Sequence, residues 1–167
     1  MPGVRPALLV AIVYLPMLIE ARRASANERA QRARGGVEPA GDVYQMMQVA
    51  YPAVFLAMIV EGVRRGDSAC FAAGLALFAA AKALKWWAIL SLGPAWTFRV
   101  IVVPGARLAA SGPYAYVRHP NYVAVAGELV AVTLMTGAAI AGPVGTVLFA
   151  LLMWKRINVE DAILPRN

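Results

Sequence analysis

The chain has 167 residues, of which 60% are apolar and only 15% charged, with a formal net charge of +7. Soluble domains carry about 25% charged residues, so an ordinary water-facing domain is excluded, and basic residues gathered at the ends of apolar runs point to membrane topology rather than nucleic acid. The single cysteine, Cys70, excludes an internal disulfide and any multi-cysteine metal site, and reads as a small buried apolar residue.

Arg5 and the apolar run Pro6–Ile19 mimic a signal peptide, as does Ala24-Ser25-Ala26. Glu20, Arg22 and Arg23 crowd the would-be cleavage region, which favours a retained anchor. A spanning helix needs about 20 mostly apolar residues, a length Pro6–Ile19 reaches only with its flanks. Glu20–Asp42 is the largest polar stretch and reads as a partly helical connector on the membrane surface, ended by Gly35-Gly36 and Pro39. Asp42–Val63 is a second span, uncharged from Val43 to Val60. Ala69–Leu92 is a third, interrupted by Lys82 and Lys85.

A polar stretch, Gly93–Pro120, follows, and then Leu129–Trp154 without a single charge. With its flanks this last region is too long for one span. Gly142-Pro143 lies near its middle, and proline disfavours helix at the residue before it. The expectation is therefore a hairpin, Asn121–Ala141 and Pro143–Leu164. The whole reads as an all-α integral membrane protein of about five transmembrane helices in a single domain, 1–167, without internal repeats. Arg22, Arg23, Arg29, Arg32 and Arg34, then Arg99, Arg107 and Arg118, then Lys155, Arg156 and Arg166 fall on one side; Arg5, Arg64 and Arg65 fall on the other. That bias puts the N-terminus outside and the C-terminus in the cytosol. Trp86, Trp87, Trp96 and Trp154 lie near helix ends, as an interfacial belt would have them.

Ionisable groups inside membrane spans are costly and mark functional sites by default. Five qualify: Lys82, Lys85, Glu128, Arg156 and Glu160. The two lysines share a helix face, and either snorkel to the interface or serve a site. Glu128 lies one or two turns into its helix, where a structural hydrogen bond or ion pair is the simplest account. Arg156 and Glu160 are spaced i, i+4 and share a face. The densest chemistry is Ser111–Tyr122, SGPYAYVRHPNY, with the only histidine, His119. Asn121 can begin the next helix, whose free backbone N–H groups suit a carboxylate.

The string GPYAYVRHPNY, two apolar helices and then RINVEDAIL resemble the isoprenylcysteine carboxyl methyltransferase family. Its pattern is G-x-Y-x-x-x-R-H-P-x-Y, a hairpin and an R-x-x-x-E end. Ala83–Arg99 is similar to the family's third helix and following turn, and Asn27–Met47 to a bacterial subgroup that methylates alkylresorcinols and alkylpyrones. The resemblance implies S-adenosylmethionine as methyl donor (S-adenosylhomocysteine as product), bound without a Rossmann domain. It divides the chain into three spans in 1–92, with the connector at 20–42, and a cofactor-binding loop, hairpin and catalytic segment in 93–167. It implies donor contacts at Val102, Ala106, Arg107, Leu108, Ala109, Tyr114, His119, Pro120, Asn121, Tyr122 and Glu160. It implies catalytic roles for Arg156, Glu160 and His119, and no metal. The long tail of eukaryotic members is missing, which argues against prenylated proteins as acceptors.

The expected function is an S-adenosylmethionine-dependent O-methyltransferase acting on a lipid-like carboxylate, phenol or enol. Arg156 would hold a carboxylate or stabilise an oxyanion, and His119 would assist proton removal. The implied setting is a bacterial inner membrane with the active site on the cytosolic face; the partners are the bilayer and a lipophilic small molecule. An NADPH-dependent sterol-type reductase shares an RHPNY-like segment, but usually has a longer chain. A membrane scaffold explains the hydrophobicity, but not the clustering of His119, Arg156 and Glu160.

Overall fold

A chain this apolar satisfies its backbone groups within each run, and helices do so. The computed structural model describes residues 6–66, 70–105 and 111–163. Among these lie five α-helices: α1 Pro6–Ala33, α2 Tyr44–Arg65, α3 Phe71–Leu92, α4 Pro120–Thr136 and α5 Ala141–Ile163. Two short 3₁₀ turns, Gly93–Ala95 and Gly112–Ala115, interrupt the connection from α3 to α4. The described residues hold no β-strand, only an isolated antiparallel bridge between Val37 and Val102.

Three expectations about the elements change. The first helix does not stop near Ile19; α1 continues through the polar segment to Ala33. The hairpin turn does not fall at Gly142-Pro143. Gly137, with φ +66°, ends α4 in the left-handed region and donates its N–H to Thr133 O. Gly142 and Pro143 lie in the first turn of α5, where a proline loses no helical hydrogen bond. Glu61 of α2 caps that helix, accepting hydrogen bonds from Ile140 N–H and Ala141 N–H at 3.0 and 2.6 Å. Finally, Cys70 is exposed rather than buried.

The core lies where α2, α3 and α5 converge on α4: Phe55 and Met58, Phe78, Leu129, Val132 and Met135, Phe149 and Met153. Small residues set the spacing. A side chain at Gly74 would strike the α4 backbone at Ala131 and the Met135 side chain; at Gly62, the backbone at Thr136; at Gly145, Val54. Close backbone approach through small residues is the usual packing device of helices in lipid. The outer faces carry Leu15, Leu56, Leu90, Val147 and Leu148. Two helical stretches, Tyr44–Arg65 and Phe71–Ala95, are long and apolar enough to cross a membrane. Of the other helices, α4 has 17 residues, and α1 and α5 each carry charges in the half nearest the site described below. Trp87 and Trp154 are exposed, whereas Trp96 is buried against Ala24 and Ile89 rather than set in an interfacial belt.

The C-terminal ends of α1, α3 and α5 and the N-terminal ends of α2 and α4 meet at one end of the bundle. Asn27 and Gln31 of α1 donate hydrogen bonds to the carbonyls of Gly93, Pro94, Ala95 and Trp96 just after α3. Asp161 of α5 meets His119 at the start of α4.

Candidate functional site

The local sequence before α4 explains how its side chains are presented. Gly112 opens a 3₁₀ turn that carries Tyr114, and Pro120 begins α4 directly after His119. Asn121 and Tyr122 therefore occupy the first turn of α4. On α5, the i, i+4 spacing puts Arg156 and Glu160 on one face, with Arg156 Nε 3.2 Å from Glu160 Oε1. Tyr122 donates its hydroxyl to the same carboxylate oxygen. His119 Nδ1 lies 3.4 Å from Glu160 Oε2, and its Nε2 lies 2.9 Å from Asp161 Oδ1. Arg118 adds a second cation to Asp161 at 3.0 Å.

The hydrogen bond with Glu160 raises the His119 pKa above the ordinary histidine value; burial opposes this, and Asp161 reinforces it. Burial, followed by the Glu160 charge, raises the Tyr114 phenol.

Asp42, just before α2, completes the cluster. Its Oδ1 lies 3.2 Å from Arg156 Nη1. It also accepts hydrogen bonds from the backbone N–H of Tyr44 and of Val100, each at 3.0 Å. Nearby, Glu38 binds Arg99 at 2.8 Å and Arg32 at 3.0 Å. Burial pushes the Glu38 carboxyl up, but the two arginines outweigh it and hold it below the usual range.

The cluster borders a cavity of about 940 Å³, with Asp42 and Asp161 set behind its wall. Ligand pockets run from roughly 300 to 1,000 Å³, so this one lies at the upper end of that range. Val102, Tyr114, His119, Asn121, Tyr122, Arg156 and Glu160 all line it. Val102 is held there by its paired backbone bonds to Val37, at 2.9 and 3.0 Å. Pro120 does not reach the wall; it is buried behind it at the helix start. Ala106, Arg107, Leu108 and Ala109 lie outside the described residues.

The charges buried inside the bundle form a second cluster. Lys82 lies 2.8 Å from Glu20 and 3.0 Å from Glu128. Lys85 lies 2.9 Å from Glu20 and 3.2 Å from Glu128, the second contact without hydrogen-bond alignment at Glu128 Oε1. Tyr51 donates its hydroxyl to Glu128 Oε2 at 2.5 Å. The lysines thus do not snorkel; both are buried and paired. Sequence reasoning missed Glu20, Asp42 and Tyr51 as members of these clusters.

A helical bundle with a polar cluster at one end of a large cavity defines an all-α protein with a candidate ligand site. The chain belongs to the isoprenylcysteine carboxyl methyltransferase (ICMT) family, whose profile matches residues 74–166. Family membership implies membrane methyltransferase activity, and methyltransferases of the family use S-adenosylmethionine. Together with the two apolar helices it points to a membrane protein. The uncharacterized protein YpbQ of Bacillus subtilis is 29% identical over 159 residues, covering 94% of this chain and 95% of its own length. An uncharacterized protein of Haemophilus influenzae is 27% identical over 159 residues, covering 93% and 90%. No solved structure matches.

The cavity suits that donor on one observation in particular. Asn121 Oδ1 is a buried acceptor in its wall with no hydrogen-bond partner among the described residues. An ammonium, amino or hydroxyl group of the donor would satisfy it.

Proposed function

We propose that this protein transfers a methyl group from S-adenosylmethionine to an oxygen of a lipid-like acceptor, on the cytosolic side of a bacterial inner membrane. The observation that carries this reading is the pairing of Arg156 and Glu160 in the wall of one cavity, with Tyr122 and His119 on the same carboxylate. Asn121, Tyr114, Val102 and Glu160 would hold the donor. When bound, the donor would supply an electrophilic methyl group on a sulfonium; the acceptor oxygen, a carboxylate or a phenolate or enolate that has released its proton to solvent, would take it as the carbon–sulfur bond breaks toward sulfur.

What the chain's residues contribute is alignment and charge. Arg156 commits Nε to Glu160 and Nη1 to Asp42, leaving its Nη2 donors for the acceptor oxygen. Held there, a carboxylate or phenolate meets a fixed guanidinium in a water-poor pocket, where such contacts are strong. His119 sits between two carboxylates that keep its imidazole protonated to higher pH, so it serves better as an imidazolium that orients Glu160 than as a base. The apolar part of the wall, including Met17, Leu18, Val125 and Phe149, suits an alkyl chain. Similarity of Asn27–Met47 to the bacterial subgroup favours an alkylresorcinol or alkylpyrone as acceptor.

The test is methyl transfer from radiolabelled donor to a panel of alkylresorcinols, alkylpyrones and isoprenoid thioether acids. Arg156→Ala and Glu160→Ala should each lose transfer by a hundredfold or more, the order expected for one charge-stabilising group (~10²–10³). Full activity in either variant overturns the roles. A thermal shift with NADPH and none with S-adenosylmethionine overturns the donor.

A further inference from the structure

The second charged cluster is not sealed away from the ligand cavity. Lys82 and Glu128 lie behind the wall, but Glu20, Lys85 and Tyr51 are part of it. The same continuous space reaches Arg156 and Glu160. Four charges inside an apolar bundle are costly, and a buried ion pair is weak evidence for stability. Bundle packing here runs through apolar side chains and close glycine contacts, so the cluster is not what the core is built on.

Its chemistry defines what it can receive. Two lysines and two glutamates sum to zero, so a charged ligand group would unbalance the ring, whichever its sign. A neutral oxygen function would not. Each carboxylate has about four lone-pair sites, and the Glu20 oxygens take one lysine contact apiece. The Tyr51 hydroxyl gives its proton to Glu128 and keeps its oxygen lone pairs. Lys85 has three N–H donors and two carboxylate contacts. The wall thus offers both an acceptor and a donor, the two partners a hydroxyl needs.

The spacing relates this wall to the reacting end. Tyr122, on the Glu160 cluster, and Glu128, on the buried cluster, are six positions apart on α4, about 9 Å along the axis. Val125 and Phe149 line the cavity, and Phe149 packs on the Tyr51 ring with centroids 5.0 Å apart.

We propose that Glu20, Lys85 and Tyr51 form a second polar subsite that takes a neutral hydroxyl or carbonyl oxygen of the acceptor, in the same cavity as the oxygen held at Arg156. This rests on the methyl-transfer reading for what occupies the Arg156 end. It adds a specificity determinant: acceptors with a second, neutral oxygen are preferred to those with one.

The test reads acceptor binding in the absence of donor, so it does not depend on turnover. Purified protein in detergent micelles is titrated with 5-pentadecylresorcinol and with 3-pentadecylphenol, following tryptophan fluorescence. Wild-type protein should bind the two-hydroxyl probe about tenfold or more tightly, the order of one hydrogen bond to a charged group. Tyr51→Phe should reduce that preference, and the charge-balanced Glu20→Gln/Lys85→Gln pair should abolish it, the two-hydroxyl probe losing more affinity than the phenol. Equal binding of both probes by wild-type protein overturns the subsite, as does failure to bind either. So does a preference retained in both variants. If the double variant does not fold, the wild-type comparison and Tyr51→Phe decide the question. Failure of the methyl-transfer reading shows separately, as absence of donor binding and of transfer to any acceptor.

Discussion

Arg156 Nη1 and Asp42 Oδ1 lie 3.2 Å apart, although 114 residues separate them in sequence. Asp42 is itself fixed by the backbone N–H groups of Tyr44 and Val100. The guanidinium is therefore gripped from two sides, by Asp42 at the start of α2 and by Glu160 one turn further along α5. A planar fork held at Nε and at one Nη can present only its remaining edge to a ligand. Asp42 acts through Arg156 and is a positioning residue.

Asp42→Asn tests this. Tyr44 N–H bonds Oδ1 and Val100 N–H bonds Oδ2, so the amide keeps one of these two bonds and gives up the other, and the negative charge that faces Arg156 is lost. A hydrogen bond to a charged group contributes about 1.5–3 kcal/mol, so kcat for methyl transfer should fall roughly 10- to 150-fold. The donor KM should change little, because the donor-side residues are untouched. A variant that changes only KM, or only the melting temperature, would assign Asp42 a merely structural part.

His119 gives a pH signature. Its folded pKa is raised by Glu160 first and by Asp161 next, against the opposing effect of burial. The unfolded value is about 6.5. Binding a proton more tightly when folded, His119 contributes stability fully below pH ~6.5. That contribution is lost as pH rises through the raised folded value. The melting-temperature gap between wild-type protein and His119→Gln should thus be widest under mildly acidic conditions and shrink in alkaline buffer. A gap that widens with pH would mean the imidazole is neutral when folded.

How much of this was legible in the sequence follows from how far apart the partners are. Tyr114–Tyr122 and the Arg156–Glu160 pair are local patterns, and the fold brings them to one carboxylate cluster. Glu20, Asp42 and Tyr51 could not be read that way. Their partners lie 62, 114 and 77 residues away, and no spacing rule links them. Glu20 read as a residue spoiling a cleavage site, whereas α1 carries it into the bundle. The hairpin turn was misplaced for a different reason. Gly142-Pro143 carries a strong breaker signal, but proline is equally at home in a first helical turn. The quieter Gly137 supplies the left-handed cap.

The buried ring of charges makes single and double substitutions behave differently. Lys85→Met leaves Glu20 and Glu128 with one cation between them. Breaking a buried pair in this way costs about 3–5 kcal/mol. Glu20→Gln/Lys85→Met restores balance, with Lys82 still 3.0 Å from Glu128. The double variant should therefore melt higher than the single one in the same detergent. The opposite order would mean the four side chains are not electrostatically coupled.

Gly112 couples the geometry of one turn to the donor site. Its φ is +63°, and a Cβ there would overlap Ser91 Oγ and press on Trp87 Nε1. Two separate penalties follow for Gly112→Ala. Left-handed backbone costs an L-residue about 1–2 kcal/mol, and overlap in a packed site typically costs about 1–3 kcal/mol more. Ser91→Ala in the same chain removes the hydroxyl but keeps the Ser91 Cβ that the new methyl also meets, so the double variant should regain some of the second part and none of the first. Tyr114 follows in the same 3₁₀ turn and lines the cavity, so donor affinity should fall in Gly112→Ala and recover in part with Ser91→Ala. Donor titration calorimetry and thermal unfolding of the three variants measure both. If Gly112→Ala binds the donor as wild-type protein does, Tyr114 does not depend on this turn for its place in the wall.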